Sequence, residues 1–152
     1  MSKVIYSLLM MLASVAFSGC QNNGYIGDLF GTWKLEKITI DGENDNDYLD
    51  NVVWKFQNNI IQMQRVNEEE HTTVNTYGTW ERPENGVIRL NYTHTDENNP
   101  QLGSVGYSPL EETHLPKATI SILDILKLDG GKMRLRYISP DGIVYQYFFK
   151  KW

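Results

Sequence analysis

Residues 129–137 read Asp-Gly-Gly-Lys-Met-Arg-Leu-Arg-Tyr, a turn followed by the cleanest two-residue alternation in the chain. Met133, Leu135 and Tyr137 fall on one side, and Lys132, Arg134 and Arg136 on the other. A strand with one buried face and one wet face has this pattern, because successive side chains point to opposite sides of a sheet. The Asp-Gly-Gly ahead of it tolerates positive φ and marks a hairpin.

Reading outward from there, the same period recurs. Trp33 and Leu35 alternate with Lys34 and Glu36, and Ile38 and Ile40 continue after a phase slip that predicts a bulge. Val52, Trp54 and Phe56 form a second strand, Ile61 and Met63 a third. Thr76, Gly78 and Trp80 form a fourth, and Ile88, Leu90 and Tyr92 a fifth. Ile120 and Ile122 open a sixth that runs to Leu128, and Tyr145, Tyr147 and Phe149 close the set. Eight strands follow, with no sustained 3.6-residue period beyond the first twenty residues.

The connections predict how the strands are arranged. Asn58-Asn59, Pro83-Glu84-Asn85-Gly86 and Asp129-Gly130-Gly131 are tight hairpin signals, whereas 41–51, 67–72 and 93–117 are longer, with Ser139-Pro140-Asp141-Gly142 last. In an up-and-down meander successive loops lie at opposite ends. The long loops therefore share one end, a mouth, and the tight turns share the other, a floor. The expected fold class is all-β: an eight-stranded antiparallel up-and-down barrel, which can enclose one small ligand.

The N-terminus carries an address. Lys3, then the apolar or small-residue stretch Val4–Phe17, then Ser18-Gly19-Cys20 have the form of a bacterial lipoprotein signal. The stretch is shorter than the roughly 20 apolar residues a spanning helix needs. The expected division is a cleaved signal peptide over 1–19, a lipidated tether over 20–27 and a barrel domain over 28–152. Cys20 is the only cysteine; it would carry the lipid, and no disulfide is open to the chain. The implied location is the outer membrane of the cell envelope. With no acidic tag after Cys20, the periplasmic side is favoured.

Gly31-Thr32-Trp33, opening the first strand, resembles the Gly-x-Trp signature of lipocalins and related calycin-like barrels, and it recurs as Gly78-Thr79-Trp80. Residues 28–152 are similar in pattern to lipocalin-like domains on lipoproteins of Gram-negative bacteria. Two features depart from that pattern. The Thr-Asp-Tyr-like motif before a late strand is absent, and the last strand offers Lys150 and Lys151 where an arginine would pack over the first-strand tryptophan. The resemblance implies a cavity for a small apolar or amphipathic molecule.

Candidate ligand-binding residues are the inward-alternating Trp54, Phe56, Met63, Trp80, Leu90, Tyr92, Met133, Tyr145 and Tyr147. They either line a cavity or fill the barrel themselves. Trp33 belongs to the floor by position and reads as a plug. The mouth loops collect Asp41, Glu43, Asp45, Asp47, Asp50, Glu68–Glu70, Asp96, Glu97, Glu111, Glu112 and Asp141, with Lys117 as their one clear cation. Such a field attracts cations and repels anions. The floor end collects Arg82, Lys127, Lys132, Lys150 and Lys151, which predicts a basic base facing anionic headgroups. The alternative is a surface module that binds glycan or a partner protein through the acidic mouth loops.

Several chemistries are disfavoured. A formal charge of −5 argues against nucleic acid. The Asp41–Asp47 carboxylates alternate as in a calcium loop, but Asn46 replaces the required glycine and Val52 the bidentate glutamate. His94, Asp96, Glu97, Glu111, Glu112 and His114 lack the spacing of a closed zinc site. Ser104, in Gly103-Ser-Val-Gly106, is no nucleophile elbow. No enzyme activity, cofactor or metal is expected, and a monomer is.

Overall fold

The computed structural model describes residues 27–93 and 107–152. The strands are β1 (Gly31–Ile40), β2 (Glu43–Asn44), β3 (Val52–Gln57), β4 (Ile60–Asn67), β5 (Thr72–Glu81), β6 (Val87–Asn91), β7 (Ile120–Leu128), β8 (Lys132–Ile138) and β9 (Val144–Lys151). β1 and β3–β9 pair antiparallel in chain order, and β9 pairs back onto β1, closing an eight-stranded barrel. Closure removes both sheet edges, which would otherwise expose unpaired N–H and C=O groups. The two-residue β2, polar and exposed, extends the mouth half of β1 beyond the reach of β3.

The alternation read from the sequence is the alternation of burial. β3, β4, β6 and β8 bury Trp54, Phe56, Ile61, Met63, Ile88, Leu90, Met133 and Leu135, while Lys55, Gln62, Arg89 and Arg134 face outward. The phase slip in β1 is a bulge between Leu35 and Lys37 opposite β9. A second bulge lies between Ile125 and Lys127 opposite β8. Both give the extra twist that a closed barrel demands. Asn58, in the tightest turn, takes a left-handed φ of 46°.

The two Gly-x-Trp tripeptides have parallel reasons. Gly31 has φ +111°, and a Cβ there would lie 3.1 Å from the Lys151 ammonium. That ammonium sits 4.3 Å above the Trp33 ring. Lysine thus takes the place over the first-strand tryptophan where the resemblance leads one to expect arginine. Gly78 makes room in the same way for the ring of Tyr92, which covers it from the neighbouring strand. A Cβ at Gly78 would meet Tyr92 Cε1 at 2.6 Å and the Asn91 carbonyl oxygen at 3.0 Å. Covering a strand glycine with a cross-strand aromatic restores the packing that the missing side chain forfeits.

Gly78→Ala should therefore destabilise the barrel by about 1–3 kcal/mol through overpacking against Tyr92 and the β6 backbone. Urea unfolding of the two proteins measures it, and equal midpoints would refute the close Gly78–Tyr92 approach.

Candidate functional site

The floor is sealed by the chain entering it. Trp33, fully buried, donates from its indole Nε1 to the Leu29 carbonyl oxygen at 2.9 Å. Lys151 donates to the Phe30 carbonyl. Burial holds the Lys151 pKa below the ordinary lysine value, with the Asp28 carboxylate opposing the shift. Trp33 is a plug, as its position predicted. The expected bare cationic floor needs correction. Arg82 pairs with Asp28 at 2.9 Å, Lys127 with Asp129 at 3.4 Å and Lys132 with Glu36 at 3.1 Å, while Lys151 turns inward. Of that set Lys150 and the inward-turned Lys151 form no ion pair among the described residues.

Above the floor, eight of the nine predicted lining residues come together in one core. Trp54, Phe56, Met63, Leu90, Tyr92 and Tyr147 are all 0% exposed, Trp80 and Met133 nearly so, and Tyr145 is half-buried against them. Their rings touch. Trp54 lies 4.9 Å from Phe149 and 5.6 Å from Tyr147, and Phe56 meets Trp80 edge-on at 5.2 Å. Four polar atoms in this interior, Trp54 Nε1, Thr76 Oγ1, the Tyr92 hydroxyl and Ser121 Oγ, have no hydrogen-bond partner among the described residues. Each such group typically costs about 1–3 kcal/mol.

The mouth half is filled differently. Leu110, Thr113 and Leu115 are buried, yet none belongs to a strand. They flank or form a single 3₁₀ turn, Glu111–Thr113, ending in a left-handed His114 with φ 58°. The segment is tied down by side chains from around the rim. Tyr147 donates its hydroxyl to the Thr113 carbonyl at 2.7 Å, and Arg65 reaches Glu112 at 2.7 Å. His114 Nε2 meets Asp45 Oδ2 at 2.7 Å, and its ring stacks on Tyr145 at 5.2 Å. Tyr145 in turn stacks on Tyr137 at 6.1 Å. The turn thus acts as a stopper, set in a collar from β4, β8, β9 and the first mouth loop.

The alternating carboxylates of 41–51 serve that collar. Asp41 Oδ1 accepts from Val144 N–H at 2.9 Å, and Asp45 Oδ1 accepts from Asp47 N–H at 3.1 Å. Tyr48 donates to the Leu35 carbonyl and accepts from Val52 N–H at 3.3 Å, pinning the loop to the barrel wall. Glu68–Glu70, His71 and Asp141 are exposed at the rim. Among the described residues no three metal-ligating side chains converge. Cys20, His94, Asp96, Glu97 and Ser104 lie outside the described residues.

The profile of the lipocalin-like domain matches residues 15–140. The chain belongs to the lipocalin-like domain family. Among solved structures it resembles a lipocalin-like protein from Bacteroides uniformis, with TM-score 0.56 and 17% identity over 83% of this chain and all of that one. A deswapped triple mutant of bovine odorant-binding protein matches with TM-score 0.42 and 10% identity, over 83% of this chain and 75% of that one. No curated protein matches. The family is one of binding proteins, generally without enzymatic activity. Among the residues of this lipocalin-like barrel that the sequence reading missed are Leu110, Thr113, Leu115, Tyr48 and Tyr137. The advance signal for the loop residues is Pro109-Leu110 and Leu115-Pro116, apolar dipeptides inside an otherwise polar loop, and for Tyr137 it is the alternation of its strand.

Burial raises the pKa of Tyr48, Tyr92, Tyr137 and Tyr147 above the ordinary 10.0. In the unfolded chain these phenols ionise near the ordinary value, while in the fold they keep their protons. Their contribution is complete below about pH 10 and is lost as pH climbs toward the folded values. Tyr92→Phe deletes an unpartnered hydroxyl, so stability at neutral pH should hold or rise by up to about 1–3 kcal/mol. The alkaline decline should become shallower. Urea midpoints at a series of pH values decide; a loss at neutral pH would mean that the hydroxyl has a partner.

Proposed function

We propose that this lipocalin-like barrel captures a small apolar or amphipathic molecule, and that it does so as a lipoprotein anchored in the cell envelope through Cys20. One observation carries the capture reading: the mouth half of the interior is occupied by a loop segment instead of strand side chains. Strand side chains cannot leave a closed barrel, but a stopper on a loop can. Swinging residues 110–115 outward would free the space of two leucines beside Tyr147 and release the Tyr147 hydroxyl from the Thr113 carbonyl for a ligand's polar end.

Capture is then a competition. Each stopper leucine contributes about 1.5–3 kcal/mol by being buried, and a ligand must exceed what the stopper loses. The apparent affinity is the intrinsic affinity scaled by the open fraction. The acidic rim favours neutral or cationic ligands over anions. The anchoring half of the reading is supported by the lipoprotein-like ending Phe17-Ser-Gly-Cys20. Folding energy and an acyl anchor are separate matters, so either half can fail alone.

Weakening the stopper should help a ligand enter. Leu115→Ala should bind the neutral fluorophore N-phenyl-1-naphthylamine about tenfold more tightly than the parent chain, corresponding to some 1.4 kcal/mol of lost competition. If neither protein binds it, and native mass spectrometry of the purified protein shows no co-purifying mass, capture inside the barrel is wrong. For the anchor, the intact mass after expression in a Gram-negative host should equal residues 20–152 plus a diacylglycerol and, usually, an N-acyl chain. A mass without lipid would remove that half.

A further inference from the structure

The charge on the outside of the barrel is not spread evenly around it. The adjacent strands β3, β1, β9 and β8 carry Lys34, Lys37, Lys55, Lys132, Arg134, Arg136, Lys150 and Lys151, and against them the one carboxylate Glu36. Only Lys151 points inward. The register arranges the others in rows across the strands. Lys34 pairs with Lys150, which pairs with Lys132; Lys37 pairs with Phe148, which pairs with Arg134. Like charges placed directly opposite destabilise a sheet, so three lysines abreast is an arrangement that folding alone disfavours. Glu36, Asp50 and Asp124 offset Lys132, Lys34 and Arg136, but Lys37, Lys55, Arg134 and Lys150 form no ion pair among the described residues.

Apolar side chains accompany the cations. The Phe148 ring lies under Lys37 at 4.3 Å and beside Arg134 at 5.7 Å. Trp152 follows β9, donates its backbone N–H to the Thr32 carbonyl at 3.0 Å, and is 74% exposed. The chain's other three tryptophans are buried. Phe30, also exposed, lies on the segment whose carbonyl holds Lys151. Basic rows beside an exposed indole form the chemistry that suits an anionic interface. The cations meet headgroups and the tryptophan sits at headgroup level.

From this arrangement we infer that the outer face of β8, β9, β1 and β3, with Trp152 at its lower edge, docks on an anionic phospholipid surface. The inference rests on the anchoring half of the proposed function. An acylated Cys20 stands seven residues before Gly27, a reach of at most roughly 25 Å, and Gly27 enters the barrel beside Phe30. The tether thus starts at the floor end of the barrel, the end at which Trp152 and the lower edge of this face lie. Docked side-on and floor-first, the acidic mouth stays turned away from the lipid.

Trp152 makes the test direct, as it is the only exposed tryptophan. The purified full chain, its lipidation read by intact mass, is mixed with vesicles of brominated phosphatidylcholine with or without phosphatidylglycerol. Docking predicts strong bromine quenching and loss of acrylamide access only when phosphatidylglycerol is present. The double variant Lys37→Glu/Lys150→Glu should remove most of the phosphatidylglycerol-dependent quenching of Trp152 while the acyl anchor keeps the protein on the vesicle, and Trp152→Phe should abolish the quenching signal. Circular dichroism confirms that both variants fold. Equal quenching in neutral vesicles, or no effect of the charge reversal, overturns the inference. Protection by soluble heparin equal to that by vesicles also overturns it, in favour of a general polyanion site. Because acylation is read separately by mass, a failed anchor and a failed docking face are told apart.

Discussion

The seam between β1 and β9 is the constraint on which the barrel depends. Seven residue pairs interrupted by one bulge join the first strand to the last, from Trp33 opposite Lys151 to Ile40 opposite Tyr145. A barrel is cooperative only if its last strand returns to its first; otherwise two edges stay open and pairing frays from both. At this seam the interior and exterior are fixed together. Strand alternation puts Lys151 inside over Trp33 and, by the same step, Lys150 outside beside Lys34. The lysine that seals the floor and the lysine row that faces outward are two consequences of one register. A slip of β9 by one residue would exchange them, burying Lys150 and turning Lys151 outward, away from Trp33.

The two ends of the barrel are closed by different physics. The floor closes with strand and near-strand groups: Trp33 bonded to Leu29, Lys151 bonded to Phe30, Arg82 paired with Asp28. The first is short-range in sequence and the second is fixed by the seam, while Arg82 and Asp28 meet across 54 residues of chain. The mouth closes with one 3₁₀ turn held by four side-chain contacts, two from β9 and one each from β4 and the first mouth loop. Tyr147 and Arg65 are rooted in the barrel wall, whereas Asp45 stands in a loop. Contacts of that kind are lost one at a time at modest cost, so the stopper belongs to the low-stability end of the molecule.

The strands were legible in the sequence because burial on one face imposes period two, and the clean cases (Met133-Arg-Leu-Arg-Tyr137 above all) are strands with one apolar face and one charged face. The Leu35–Lys37 bulge was legible as a phase slip for the same reason. The bulge between Ile125 and Lys127 was not, because Leu123, Ile125, Leu126 and Leu128 are apolar on both sides of it and conceal the change of phase. β2 was invisible because Glu43 and Asn44 bury nothing. That Trp54, Phe56, Met63, Leu90 and their neighbours turn inward was legible by alternation alone, but the stopper was not. Leu110 and Leu115 are two leucines in a polar loop, and only the collar of Tyr147, Arg65, His114 and Asp45 reveals that they turn inward. The ion pairs that consume the floor cations are likewise tertiary: Lys132 and Glu36 meet across 96 residues of chain.

The outer basic face shows why net charge is a poor guide to what a barrel touches. An acidic chain of formal charge −5 excludes a wholly basic footprint, but not a local one, because the barrel sorts its residues by strand and by height. The carboxylates gather where loops are long, and loops lie at the mouth. Four neighbouring strands carry only Glu36, so once Lys34, Lys132 and Arg136 are offset by Asp50, Glu36 and Asp124, the charges of Lys37, Lys55, Arg134 and Lys150 still add. Screening over about 10 Å at ordinary salt then separates the two fields, since strands of six to ten residues are longer than that. A surface approaching the side of the barrel near Trp152 therefore meets a cation, whatever the whole molecule carries.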